Sequence, residues 1–279
     1  MTKKTFVIDK IKSLILTVGL MGGIIYFLTF LYYKTNPLTF YLYALGGASL
    51  FILITYLLYA KVFVRIFNKL IPLEDGELKE KIVEFTKTVG YEVNKISVMD
   101  ASKRTTKLNA SFSGFGQFKQ VILFDNLINK MNSDQIVSVL AHEIGHAKKK
   151  HIVKNLFMTI IKLAIYFSII LFTSTYDELS MLFGFESANI AFGIILFLFI
   201  MDPVSMIENL IANSISRRFE YQADYYAATK YKKENIVEAL KILCRENFAN
   251  LTPHPLYVKF YYSHPPVAYR IKAINNIKS

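Results

Sequence analysis

The chain is poor in cysteine, in acidic residues and in charge of either sign. Its 279 residues include one cysteine, Cys244, which excludes a disulfide scaffold and agrees with a reducing compartment. Charged residues make up 19% against a hydrophobic content of 53%, the reverse of a disordered chain. Aspartate and glutamate number 21 against 33 lysines and arginines, a net charge of +12. An excess of that size suits nucleic-acid binding only when the bases cluster on a polar domain. Here they flank apolar runs, which points to a lipid bilayer as partner and away from nucleic acid. The chain has no internal repeat and no low-complexity tract.

What it does have is apolar blocks. Residues 13–33 and 38–60 contain no charged side chain, and each can cross a hydrocarbon core, which takes about 20 helical residues. The first block is too long for a signal-peptide core and lacks a cleavage site, so it is expected to remain as an anchor. The break Lys34-Thr35-Asn36-Pro37 suits a tight hairpin. A third run, 156–173, contains Lys162, expected to snorkel toward the headgroups. A fourth begins at Ala188 and must continue past Pro203 to cross. Lys3, Lys4, Lys10 and Lys12 precede the first span, Lys61, Arg65 and Lys69 follow the second, Lys148 to Lys150 and Lys154 precede the third, and Arg217 and Arg218 follow the fourth. The positive-inside rule then puts both termini and the segment from Lys61 to Lys154 on the cytoplasmic side.

That segment reads as a polar domain. Leu78, Ile82, Val83 and Phe85 recur at helical spacing between Glu77 and a stop at Gly90. Three β-rich pieces follow, Asn94–Ser102, Asn109–Gly116 and Lys119–Asp125, and suggest a small sheet with a glycine-rich turn at 114–117. Ser133 is placed as the N-cap of a helix that carries SDQIVSVLAHEIGHAKKKH and runs on into the third span.

The chemistry sits on this helix. His142-Glu143-Ile144-Gly145-His146 is an HExxH element. Two histidines four apart share one helical face and can reach one tetrahedral Zn²⁺, and Glu143 between them can act as general base. A catalytic zinc needs a third protein ligand and an open position. His151 comes nine residues after His142, whereas the HExxHxxGxxH form needs its third histidine at ten, where Ile152 stands. A glutamate on a separate helix, with an acidic residue one turn later to orient a ligand imidazole, is the alternative. SRRFEYQADYYA offers Glu220 and Asp224 at i and i+4. His151 and His254 are expected to face solvent or headgroups.

HEIGH together with SRRFEYQAD resembles the integral-membrane gluzincin metalloproteases, the family of type I CAAX prenyl endopeptidases and of the bacterial heat-shock protease HtpX. Asn109-Ala110-Ser111-Phe112, Val121 to Asp125 and the segment from Pro253 to Ile271 extend the likeness, the last being similar to the prenyl-protease branch, while the length is closer to HtpX. The resemblance implies that His142, His146 and Glu220 hold one catalytic zinc, that Glu143 activates water and that Asp224 orients a ligand histidine. It also implies that His264 assists the oxyanion, that Asn109 and Ala110 contact substrate, and that Arg270 is a structural or substrate-contacting neighbour.

The expected fold class is a mainly α membrane protein, with about four transmembrane helices plus a cytoplasmic α+β zincin-like metalloprotease domain with a small sheet. Its parts are a transmembrane hairpin at 1–66, a cytoplasmic domain at 67–155, a second transmembrane hairpin at 156–212 and a cytoplasmic C-terminal part at 213–279. Counting helical rise from His146 to Leu156 gives about 15 Å, so the zinc is expected just inside the cytoplasmic face. The expected function is a zinc endopeptidase acting on peptide or protein substrates that are membrane-associated or lipid-modified. CAAX tail processing specifically, and a non-proteolytic scaffold that keeps zinc for stability, are the alternatives.

Overall fold

The computed structural model describes residues 1–91, 93–113 and 120–278. In chain order the helices are α1 (Lys3–Lys34), α2 (Pro37–Leu58), α3 (Val64–Phe67), α4 (Glu77–Thr88), α5 (Asp125–Ile128), α6 (Ser133–Lys148), α7 (His151–Thr175), α8 (Asp177–Met181), α9 (Ile190–Lys230), α10 (Lys233–Glu246), α11 (Pro255–Tyr261) and α12 (Val267–Asn275). The strands are β1 (Leu70–Pro72), β2 (Lys95–Met99), β3 (Ala110–Ser113) and β4 (Gln120–Phe124). Among the described residues, helices α1, α2, α7 and α9 are the four long and apolar enough to cross a membrane, as the apolar blocks require. The glycine-rich turn expected at 114–117 lies outside the described residues.

One compact unit comprises Phe6–Thr55 and Val153–Glu208. Pro37 opens α2, and the Asn36 side chain accepts from the Thr39 N–H at 3.0 Å, so the hairpin turn carries its own cap. Leu31, Phe40, Ala44 and Phe167 form the buried centre of this unit. The Tyr32 hydroxyl donates to the Ser174 carbonyl at 2.7 Å. Large apolar side chains such as Leu42 and Phe199 stay exposed on the outer faces, as suits lipid contact. Lys162 corrects the snorkelling expectation: it pairs with Glu208 of α9, whose carboxylate also accepts from the Tyr166 hydroxyl. A carboxylate on a neighbouring helix holds the ammonium in place, because its withdrawal to water would leave Glu208 without a cation.

The second unit comprises Met1–Thr5, Tyr56–Ile152 and Asn209–Ser279. Its sheet runs in the order β1-β2-β4-β3, with β2 and β4 parallel and both outer pairs antiparallel. The short strand β1, ending at Pro72, was not anticipated; an edge is where a strand tolerates proline. Alternation along β4 gives the sheet two apolar faces. Val121 and Leu123 pack with Ile136, Val137, Leu140 and Ile144 of α6 and with Ile82 and Phe85 of α4, while Ile122 packs with Val64, Met99 and Ala101 on the other side. Helix α4 ends as its glycine foretold: Gly90 takes a φ of 59°, and the Tyr91 N–H reaches back to the Thr86 carbonyl at 2.8 Å, which satisfies an orphan carbonyl of the last turn.

Helix α6 departs from expectation at both ends. Its N-cap is Asn132 and not Ser133. Asn132 Oδ1 accepts from the Gln135 N–H at 2.9 Å, and Gln135 Oε1 accepts from the Asn132 N–H at 3.0 Å, a reciprocal capping box that Ser133 has no partner to make. At the other end the helix does not run on into the third span. Lys150 adopts a φ of 55°, the left-handed conformation that breaks a helix, and α7 begins afresh at His151.

Candidate metal centre and active site

The ligands come from two helices that must touch. Helix α6 presents His142 and His146 one turn apart, and α9 presents Glu220 and Asp224 likewise. Gly145 lets the backbones meet: a Cβ there would lie 3.0 Å from Tyr226 Cβ and 3.1 Å from Ala223 Cα. A glycine inside a helix costs about 1 kcal/mol relative to alanine, and this close approach is what it provides.

The meeting brings three ligand atoms together. His142 Nε2 and His146 Nε2 are 3.2 Å apart, Glu220 Oε2 is 3.5 Å from His142 Nε2, and Glu220 Oε1 is 3.4 Å from His146 Nε2. Donors at about 2.1 Å from a tetrahedral ion stand about 3.4 Å from one another, so the set fits one small divalent cation. Glu220 Oε2 is also buried without a hydrogen bond, an acceptor that a cation would satisfy. Burial opposes a charge on His142, but hydrogen bonds to Asp224 and Glu220 outweigh it and raise its pKa to about 9; the pocket attracts positive charge before any metal arrives. Burial pushes the Glu143 carboxyl above its usual range, partly countered by the two histidines, and so moves this candidate base closer to neutral pH.

Behind the ligands stands a second layer. Asp224 Oδ1 lies 3.0 Å from His142 Nδ1, and an N–H donated there frees Nε2 for a metal. Arg270 of α12 grips Asp224 through Nε at 2.8 Å and Nη2 at 2.6 Å, and its Nη1 is 3.3 Å from Glu220 Oε2. It is buried, with its guanidinium turned inward. Of the two roles expected for Arg270, this geometry favours the structural one, because two buried carboxylates demand a fixed cation.

His151 is a further correction. The expectation of a solvent- or headgroup-facing side chain fails: His151 is 1% exposed and stacks on Phe219 with ring centroids 4.0 Å apart. Its Nδ1 lies 3.0 Å from His146 Nδ1, and its Nε2 is 2.9 Å from Gln222 Oε1. With His146 Nε2 kept as a metal ligand, the protons are assigned one way: His146 Nδ1–H donates to His151, and His151 Nε2–H donates to Gln222. His151→Ala is expected to weaken metal affinity about 10- to 100-fold, read by competition against a chelator. An unchanged affinity would show that His146 is held by other contacts. His254 is exposed, as expected, and its Nδ1 accepts from the Leu256 N–H at the start of α11.

His264 stands at the edge of the centre. Its Nε2 is 3.4 Å from Glu220 Oε1 with the side chain 64% exposed, and Ser263 Oγ lies 3.0 Å from its Nδ1. Arg217, expected only as a basic flank of the fourth span, holds the chain just before it by donating to the carbonyls of Val258 at 3.1 Å and Tyr262 at 2.7 Å. Strand β3 is an outer strand of the sheet. The Phe124 N–H donates to the Asn109 carbonyl, so alternation turns the backbone polar groups of Ala110 and Phe112 to the outer edge. Asn247, also missed, closes that edge at one end: its Oδ1 accepts from the Leu108 N–H at 2.9 Å and its Nδ2 donates to the Leu108 carbonyl. Among the described residues no strand lies beyond β3.

The family model of peptidase family M48 matches residues 72–278. The chain belongs to that family. The M48 match takes in His142, His146, Glu220, Asp224 and Arg270 and the strands β2, β3 and β4. CAAX prenyl protease 1 of Saccharomyces cerevisiae is 36% identical over 295 residues, which cover 99% of this chain and 64% of the relative. The CAAX prenyl protease 1 homolog of Arabidopsis thaliana is 33% identical, covering 97% of this chain and 64% of the relative. The crystal structure of S. mikatae Ste24p superposes with a TM-score of 0.90 at 33% identity, covering 98% of this chain and 67% of that chain. This M48 chain is therefore an integral membrane protein on the prenyl-protease branch, and it spans about two thirds of the length of the curated relatives it matches. The resemblance to HtpX is the lesser of the two expected.

Proposed function

We propose that the chain is a membrane-embedded zinc endopeptidase that cleaves prenylated proteins near their lipid-modified ends. The observation that carries the reading is the His142–His146–Glu220 triangle, sized for one ion, with Glu143 on the same helix. The names of the relatives supply the substrate class. His142, His146 and Glu220 would hold the zinc ion, which when bound would supply Lewis-acid activation of the scissile carbonyl and of the attacking water. Glu143 takes the proton of the attacking water and passes it to the leaving nitrogen. His264, exposed beside Glu220, donates to the developing oxyanion. Asp224 and Arg270 hold His142 and Glu220 in position. The substrate lies as an added strand on the outer edge of β3, paired with the backbone of Ala110, while Asn109 meets its side chains.

The termini and the catalytic centre face the cytoplasm in this reading, supported by the lysines and arginines that flank each span. Segments 67–155 and 213–279 together build the protease, and 1–66 and 156–212 hold it in the bilayer. The test compares a farnesylated CAAX peptide with an unfolded membrane protein as substrates for the chain in lipid nanodiscs. Preferential, chelator-sensitive cleavage of the farnesylated peptide is expected. Degradation of the unfolded protein alone would replace tail processing with quality control.

A further inference from the structure

The sheet has a second face, and it is hollow. A cavity of about 510 Å³ lies on the side of the sheet opposite α6, within the range of about 300–1,000 Å³ usual for small-molecule sites. One wall is aromatic, made by Tyr59 and Phe63 of a π-helical turn (Tyr59–Phe63) and Phe67 of α3; Met99 and Ile122 of the sheet line it as well. Asn109 and Ser111 also line it. These are alternate residues about the outer strand, while Ala110 between them packs toward α6.

We propose that this cavity holds the isoprenoid chain of the substrate, which rests on the reading of prenylated substrates given above. A peptide paired with the outer edge of β3 alternates its side chains in step with the strand. When one residue faces α6 and the metal ligands, its neighbours face the side of Asn109 and Ser111, where the cavity opens. A side chain projecting there meets a mostly apolar lining, in which Asn68, Arg104 and Thr105 are the other polar members, with room for a group much longer than an amino acid's own. Tyr59, Phe63 and Phe67 also follow directly in sequence the end of α2, where Lys61, Arg65 and Lys69 mark the bilayer surface. A chain withdrawn from lipid at that level exchanges one apolar surrounding for another, at little cost in hydration.

Two measurements on the full chain in nanodiscs test this. The first is the ratio of kcat/KM for an S-farnesyl peptide to that for the same peptide with S-methylcysteine, in wild type and in Val64→Phe, which places a ring in the cavity. The wild-type ratio is expected to exceed tenfold and to fall at least tenfold in V64F. The second uses wild type alone: a farnesyl analogue bearing a diazirine is expected to label residues 59–68, 99–111 or 122–124. A wild type that cleaves both peptides equally overturns the prenylated-substrate reading, and the lipid subsite with it. A wild type that prefers the farnesylated peptide, but whose label lands outside these segments or whose preference survives in a folded V64F, overturns the subsite and leaves the substrate reading intact.

Discussion

Glu143→Gln is expected to lower peptide hydrolysis by about 10³-fold, within the range for loss of a positioned general base, while the bound metal stays at the wild-type level. The amide keeps the shape and the hydrogen-bonding reach of the carboxylate but cannot accept a proton from water. Its neighbours His142, His146 and Glu220 are untouched, so the ion should remain. Metal analysis of the purified variant beside its rate on a farnesylated peptide separates the two effects. Equal rates in wild type and variant would leave a metal-stabilised scaffold and remove the protease reading.

Arg270→Ala is expected to cost about 3–5 kcal/mol of stability, the usual consequence of removing one partner from a buried ion pair. Arg270 is the fixed cation between two carboxylates, with Asp224 side chains 2% exposed and Glu220 side chains 6% exposed. Without it, Asp224 is left facing His142, and Glu220 facing the imidazoles of His142, His146 and His264. The loss should be larger after chelation than in the metal-loaded protein, because a bound ion supplies part of the missing positive charge. Arg270→Lys should fall between, since an ammonium keeps the charge but not the two-pronged grip on Asp224. Denaturant unfolding in detergent, with and without chelator, gives these differences. A loss below about 1 kcal/mol in both states would mean that Arg270 is dispensable to the pocket.

Much of the fold was legible because its signals are local. Charge-free runs give spans, Gly90 gives a helix end, and HExxH gives two imidazoles on one helical face. Glu220 and Asp224 were legible only as a pair whose spacing made sense beside HExxH. The boundaries of α6 were not legible. Asn132 and Ser133 are both good capping residues, and it is Gln135, three residues after Asn132, that decides between them through the reciprocal bond. Arg217 and Asn247 were invisible because their partners, the backbones of Val258, Tyr262 and Leu108, lie 41 to 139 residues away in the chain.

That the chain lives in a membrane, with its bases gathered at the ends of its spans, and that His142, His146 and Glu220 are the residues a metal would seek, can be read from the order of residues. Composition and periodicity carry that information, because hydration and helix pitch act on neighbouring residues. Only the tertiary structure decided what His151, Arg270 and Lys162 do. A continuous helix would turn His151 away from His146, and it is the left-handed Lys150 that swings it back. Arg270 has no legible partner in the sequence until α12 carries it beneath Asp224. Lys162 reads as a snorkelling lysine until α9 sets Glu208 beside it. Each of these charges or rings found its partner across the fold, and the cost of burying a polar group alone made the partner obligatory.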